Sequence, residues 1–159
     1  MQKLNLHKLK CSINNLCKFL DDTYGINYGG CCYLAALIAR YLDRLDIKYS
    51  LIVYDACKKN KSYIEYEILN KSKNKHYSRS VTGNNTCNHY CLRIHGSGII
   101  NETKLENVHR YVINDVDSKS ISWIYRSGVW NNCYKTKYNK TIKSIVKEFF
   151  REYEKIPNF

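Results

Sequence analysis

From Cys31 onward, Leu34, Ala35, Ile38, Ala39, Leu42 and Leu45 recur at helical spacing, with Arg40, Asp43 and Arg44 on the opposite side. A helix of this length is marginal alone in water, so the stripe must be buried against the rest of a core. The pattern predicts a helix from Gly30 or Cys31 to about Asp46, with Cys31 in the stripe and Cys32 outside it. An earlier helical run, about Leu9 to Leu20, carries Leu9, Ile13, Leu16 and Leu20 beside Cys17, and Asp21-Asp22 and Gly25 close it. A last one, about Thr141 to Tyr153, places Ile142, Ile145, Val146, Phe149, Phe150 and Tyr153 on one face.

Between the second and last helices the period changes. Tyr49 to Tyr54 reads as a strand, and Tyr90, Leu92 and Ile94 alternate with His89, Cys91, Arg93 and His95. Gly96-Ser97-Gly98 then turns the chain into a return strand at Ile99-Ile100-Asn101. A polar loop or short helix follows to Arg110, then a strand at Tyr111 to Ile113. Beyond it lies an aromatic stretch, Ile121 to Tyr134, with Trp123, Tyr125, Trp130 and Tyr134. Helices come first and strands afterwards, without strand–helix alternation, so the expected class is α+β with an antiparallel sheet.

The 159 residues suit a single domain, 1–159, that builds its core without staples. Met1 to Lys10 alternates Lys and His with Leu and does not read as a signal peptide. No stretch approaches the roughly 18 apolar residues of a membrane span. A cytoplasmic protein with no membrane partner is the expectation, and the eight cysteines (Cys11, Cys17, Cys31, Cys32, Cys57, Cys87, Cys91 and Cys133) are then mostly reduced core residues. The net charge of +12 accompanies abundant Asn, Lys, Ile and Tyr, a bias typical of AT-rich coding sequence. It attracts anionic partners, nucleic acid among them, without specifying one.

Gly29-Gly30-Cys31-Cys32 stands directly ahead of the best helix. A thiolate in a helix's first turn is favoured by the backbone N–H groups and the positive end of the dipole, which lower a thiol from its usual value of about 8.5. His89 begins a strand about sixty residues later and is the expected base; His95 falls in a turn and His109 in a loop. A cysteine in an apolar stripe is otherwise inert core, and a strand histidine with polar neighbours such as Asn88 and Arg93 is otherwise surface.

The order of these parts resembles the papain-like fold, and within it the transglutaminase-like branch that includes arylamine N-acetyltransferases. The resemblance rests on Gly29-Gly30-Cys31-Cys32-Tyr33-Leu34-Ala35 followed by Asp46-Ile47, on His89, and on Asn101 a dozen residues later. Trp130-Asn131 to Tyr134 ahead of a final helix adds to it. The chain is still more similar to small Gly-Gly-Cys proteins of this fold predicted in phage genomes. The resemblance implies a cysteine hydrolase or acyltransferase acting on an amide, isopeptide or thioester through Cys31, His89 and Asn101, with no cofactor and no metal. It also implies a protein substrate or host protein as partner, and host cytoplasm as location. Transglutaminases and acetyltransferases carry Asp where Asn101 stands, and Asn orients an imidazole without adding charge. By the acetyltransferase spacing Cys32 is the alternative nucleophile, although the arginine of that motif is absent. Asn27 is the candidate oxyanion donor beside the nucleophile's own N–H.

The alternative is a catalytically inactive basic module that binds nucleic acid or inhibits a host factor, its aromatic residues stacking bases. Cys87, His89 and Cys91 suggest zinc by residue type, but Cys-x-His-x-Cys on one strand does not wrap a tetrahedral ion. Lys58, Lys59, Lys61, Lys71, Lys73, Lys75 and Arg79 flank Tyr63 to Ile68, read as a hairpin arm or edge strand with exposed loops, whose charges are expected to form a rim that steers an acidic protein partner.

Overall fold

In the computed structural model, residues 3–55, 87–127 and 138–155 are described. They form helices α1 (Leu6–Tyr24), α2 (Cys31–Arg44), α3 (Ser118–Ser127) and α4 (Asn139–Arg151), and strands β1 (Tyr49–Asp55), β2 (Cys87–Ile94), β3 (Gly98–Ile100) and β4 (His109–Ile113). The sheet runs in the order β3-β2-β1-β4, with every neighbouring pair antiparallel. The class is α+β.

Helix α1 starts where Asn5 accepts the Lys8 N–H at 3.0 Å and stops at Gly25, whose left-handed backbone (φ 60°) returns its N–H to the Asp21 carbonyl. Its apolar side, Leu9, Ile13, Leu16, Cys17 and Leu20, is buried. Helix α2 then begins at Cys31, with Gly30 at the N-cap offering no side chain. One face of the sheet, including Leu51, Val53, Tyr90, Leu92, Ile94 and Ile113, joins the helices in the main core. The opposite face carries a smaller apolar group of Ile52, Tyr54 and Cys91. The period-two pattern of β2 thus sends Tyr90 and Leu92 to the helices and Cys91 away from them.

Three segments differ from what the pattern predicts. Cys32 is not outside the buried stripe: α2 is enclosed around most of its circumference, Ala36, Leu37 and Tyr41 included, because α3 and α4 cover the side expected to face solvent. Residues 103–108 take the loop form of the two expected there, but His109 opens β4 instead of lying in that loop. The first part of the aromatic stretch is helical: Asp117 caps α3 by accepting the Ser120 N–H at 2.8 Å. In α4, Ile142, Val146 and Phe150 are buried while Ile145, Phe149 and Tyr153 pack at the margin. Phe150 stacks on Tyr41 of α2 with centroids 4.7 Å apart. The basic arm at 57–86, with its segment Tyr63 to Ile68, and Trp130 to Tyr134 lie outside the described residues. No helix among the described residues is long and apolar enough to cross a membrane.

Candidate active site

The site forms where β3 ends before β2 does. The β2–β3 register pairs Leu92 with Ile100, so a longer β3 would bring Glu102 opposite Tyr90. Asn101 prevents this, because its left-handed backbone (φ 59°) turns the chain away from β2. Asn is among the residues that tolerate this region best after Gly. With β1 on the other edge of β2, the sulfur of Cys31 takes the position a ladder partner would have held: Tyr90 N–H donates to Cys31 Sγ at 3.4 Å. Cys31 is the first residue of α2 and is 2% exposed.

His89, 3% exposed, precedes Tyr90 on the same strand. Its Nε2 lies 2.7 Å from the backbone carbonyl of Asn101. A peptide carbonyl can only accept, so Nε2 carries the hydrogen and Nδ1 keeps the lone pair. The Tyr54 ring packs against the imidazole with centroids 5.8 Å apart. Burial pushes His89 below its ordinary value of 6.5, against the opposing pull of the Asn101 carbonyl and the Asp21 carboxylate. The imidazole is therefore neutral at pH 7, which a general base requires.

Asn101 thus contacts His89 through its backbone and not through its side chain. Its carboxamide forms a reciprocal pair with Asn27, at 2.9 Å from Asn27 Nδ2 to Asn101 Oδ1 and 2.8 Å in return. The pairing commits Asn27, the candidate oxyanion donor, to the loop ahead of α2, where Asp21 also accepts the Asn27 N–H at 2.9 Å. Cys32 faces elsewhere, with its Sγ 3.7 Å from the Ile121 carbonyl in α3. Cys31 therefore meets β2 at the backbone of Tyr90, Asn101 meets it at His89, whose ring lies beside Tyr54 on the face turned away from the helices, and Cys32 joins neither.

A polar cleft of about 530 Å³ adjoins this edge. One side of α1 supplies Lys10, Asn14, Cys17, Lys18 and Asp21 to its wall. Ile99, Asn101 and Glu102 line it from the sheet, and Asn27 from the loop. Burial, with Asp21 nearby, pushes the Cys17 thiol up to about 12. Burial likewise raises the Cys91 thiol, with Glu102 and Cys31 adding to it. Both stay protonated at neutral pH. Among the described residues, no group of three or more His, Cys, Asp or Glu side chains is arranged to hold a metal ion.

Asn14 escaped the sequence reading. Its carboxamide donates to the Ile99 carbonyl at 3.2 Å and accepts the Asn101 N–H at 2.8 Å. The available signal was a polar line along α1 beside its apolar stripe: Lys10, Asn14, Cys17 and Asp21 recur at helical spacing, with a poor helix former at its centre.

No family model, no curated protein and no solved structure matches this chain.

Proposed function

We propose that the chain is a cysteine enzyme of papain-like, transglutaminase-related architecture that opens an amide, isopeptide or thioester bond, with a protein as substrate. The observation that carries this reading is a helix-initiating thiol that accepts the N–H of Tyr90, the residue next in the chain to a buried and oriented imidazole. Cys31 attacks the carbonyl carbon, and its proton passes to Nδ1 of His89. The tetrahedral adduct collapses as His89 returns that proton to the leaving nitrogen or sulfur. Water or an amine, deprotonated by His89, then releases the acyl group from Cys31. The Tyr90 N–H aimed at sulfur favours the anionic form through which attack proceeds.

Alkylation with iodoacetamide at pH 6, mapped by mass spectrometry, tests the assignment. Exposed Cys11, whose Sγ lies 3.7 Å from His7 Nε2, supplies the reference rate of a solvent-facing thiol within the same molecule. Cys31 is expected to react about tenfold faster than Cys11, as activated thiols do, and His89→Ala to bring it below the Cys11 rate. A Cys31 slower than Cys11, or labelling of Cys32 in its place, overturns the reading. Salt-sensitive binding of nucleic acid by an unreactive protein would favour the inactive basic module.

A further inference from the structure

The carboxamide of Asn14 meets two backbone groups that flank one residue: the carbonyl of Ile99 and the N–H of Asn101, on either side of Ile100. A peptide group on a parallel neighbouring strand would engage the same pair. Among the described residues the outer edge of β3 has no strand beside it, since β3 ends the sheet order and β2 holds its inner edge. One side chain from α1 thus completes the ladder at the residue where the chain leaves the sheet.

The hydrogen bond that orients His89 depends on that exit. The Asn101 carbonyl reaches Nε2 because the residue is held at φ 59°, a conformation that Asn tolerates better than most L residues but that its contacts must still favour over the extended one. Asn14 fixes the N–H side of Asn101, and Asn27 fixes its side chain. We propose that Asn14 is a positioning residue whose carboxamide stands in for a missing parallel strand, holds Asn101 in its left-handed turn, and so aims the Asn101 carbonyl at His89 Nε2, leaving Nδ1 as the base. This assignment builds on the cysteine-enzyme reading, yet the orientation of His89 can be measured without any reaction.

Asn14 is half-buried, and Asn14→Leu removes both of its bonds at similar volume. Asn14→Asp keeps the acceptor for the Asn101 N–H, loses the donor to Ile99 and sets a carboxylate oxygen against that carbonyl. Histidine ¹⁵N spectra at pH 8 should show wild-type His89 as the Nε2–H tautomer. In Asn14→Leu the Nδ1–H form should rise and the Asn101 amide should exchange about tenfold faster, the scale of one lost hydrogen bond. Asn14→Asp should retain most of the amide protection and most of the Nε2–H form. The pH midpoint of Cys31 alkylation should move in Asn14→Leu and recover in Asn14→Asp, a pattern that a general loss of stability does not produce. Unchanged exchange and tautomer in Asn14→Leu, or identical behaviour of the two variants, overturns the proposal. A tautomer that responds to Asn14 in a protein whose Cys31 proves unreactive upholds the positioning role and removes the enzyme reading alone.

Discussion

The two ends of the β1–β2 pair each hold a histidine, and they put it to opposite uses. At one end His89 is buried against Tyr54, gives its single N–H to a backbone carbonyl, and keeps a lone pair on Nδ1, one residue before the Tyr90 N–H that meets Cys31. At the other, His95 is exposed at the turn after β2, with its Nε2 2.7 Å from the hydroxyl of Ser50, which is fully buried. Ser50 also donates to Asn114 Oδ1 at 2.6 Å, so its one hydrogen serves Asn114 and its oxygen accepts from His95. That second cluster ties the β2–β3 turn and the chain after β4 to the centre of the sheet, and its polar atoms are mutually satisfied. The contrast lies in the partner. A carbonyl beside a buried ring leaves a lone pair on its other nitrogen, whereas a buried hydroxyl that needs a donor makes a fastening.

The sharpest way to break the comparison is to remove each imidazole and follow Cys31. His89→Ala should slow alkylation at pH 6 by about a hundredfold, the low end of what a positioned base contributes. His95→Ala, distant and sharing no partner with Cys31, should leave the rate within about twofold. Equal effects would mean that neither ring acts on the thiol.

Acid sharpens the same contrast. The folded-state value of His89 lies below its unfolded value of 6.5, so the unfolded chain binds the proton first as pH falls. The stability tied to a neutral His89 is fully present above 6.5 and is lost as pH drops from there through the folded-state value. Urea titrations between pH 8 and pH 4 should show this loss, and His89→Gln should flatten it. A slope that survives the substitution assigns the acid sensitivity to other groups.

At the fastening end, Ser50→Ala should lower stability by about 1 kcal/mol, the usual net worth of such bonds. The figure stays small because His95 and Asn114 are exposed and can turn to water. Thiol reactivity should not follow this loss. A joint fall in stability and in Cys31 labelling would show that the two ends are coupled through β1.

What the sequence revealed and what it hid follow one physical divide. Regular periods were legible: the buried stripes of α1 and α2, the alternation through β2 and the glycine turn into β3 all stand where the pattern puts them. The burial of Cys32 was not, because it depends on α3 and α4 packing over α2, a tertiary contact without local signature. The start of α3 had a signal in Asp117, obscured by the aromatic residues that follow it. Asn101 could be picked out by its distance from His89, but the use of its carbonyl instead of its amide depends on a positive φ. No residue type specifies that alone. Asn14 was hidden for the same reason, since its partners are backbone atoms more than eighty residues away.

Asn101→Gly separates backbone from side chain at the active end. Glycine adopts φ 59° without penalty and keeps the carbonyl that holds His89, while the pair with Asn27 is lost. Cys31 reactivity should fall by no more than about threefold, as for one partly exposed hydrogen bond. A loss of about a hundredfold would restore the side-chain amide as the orienting group.

The smallest expected effect belongs to His95→Ala on stability. Removing the ring takes one donor from Ser50 but leaves its hydrogen on Asn114, so the buried hydroxyl keeps a partner. The ring itself is exposed, and little apolar surface is lost with it. The cost should be about 0.5 kcal/mol, below that of Ser50→Ala, because a hydroxyl that keeps one of two partners loses only part of their worth. Denaturation of the two single variants and the double variant decides it. If His95→Ala costs as much as Ser50→Ala, and the double variant costs no more than either, the imidazole is the member on which the cluster depends. The two histidines would then differ in chemistry but not in how much of the fold each one holds.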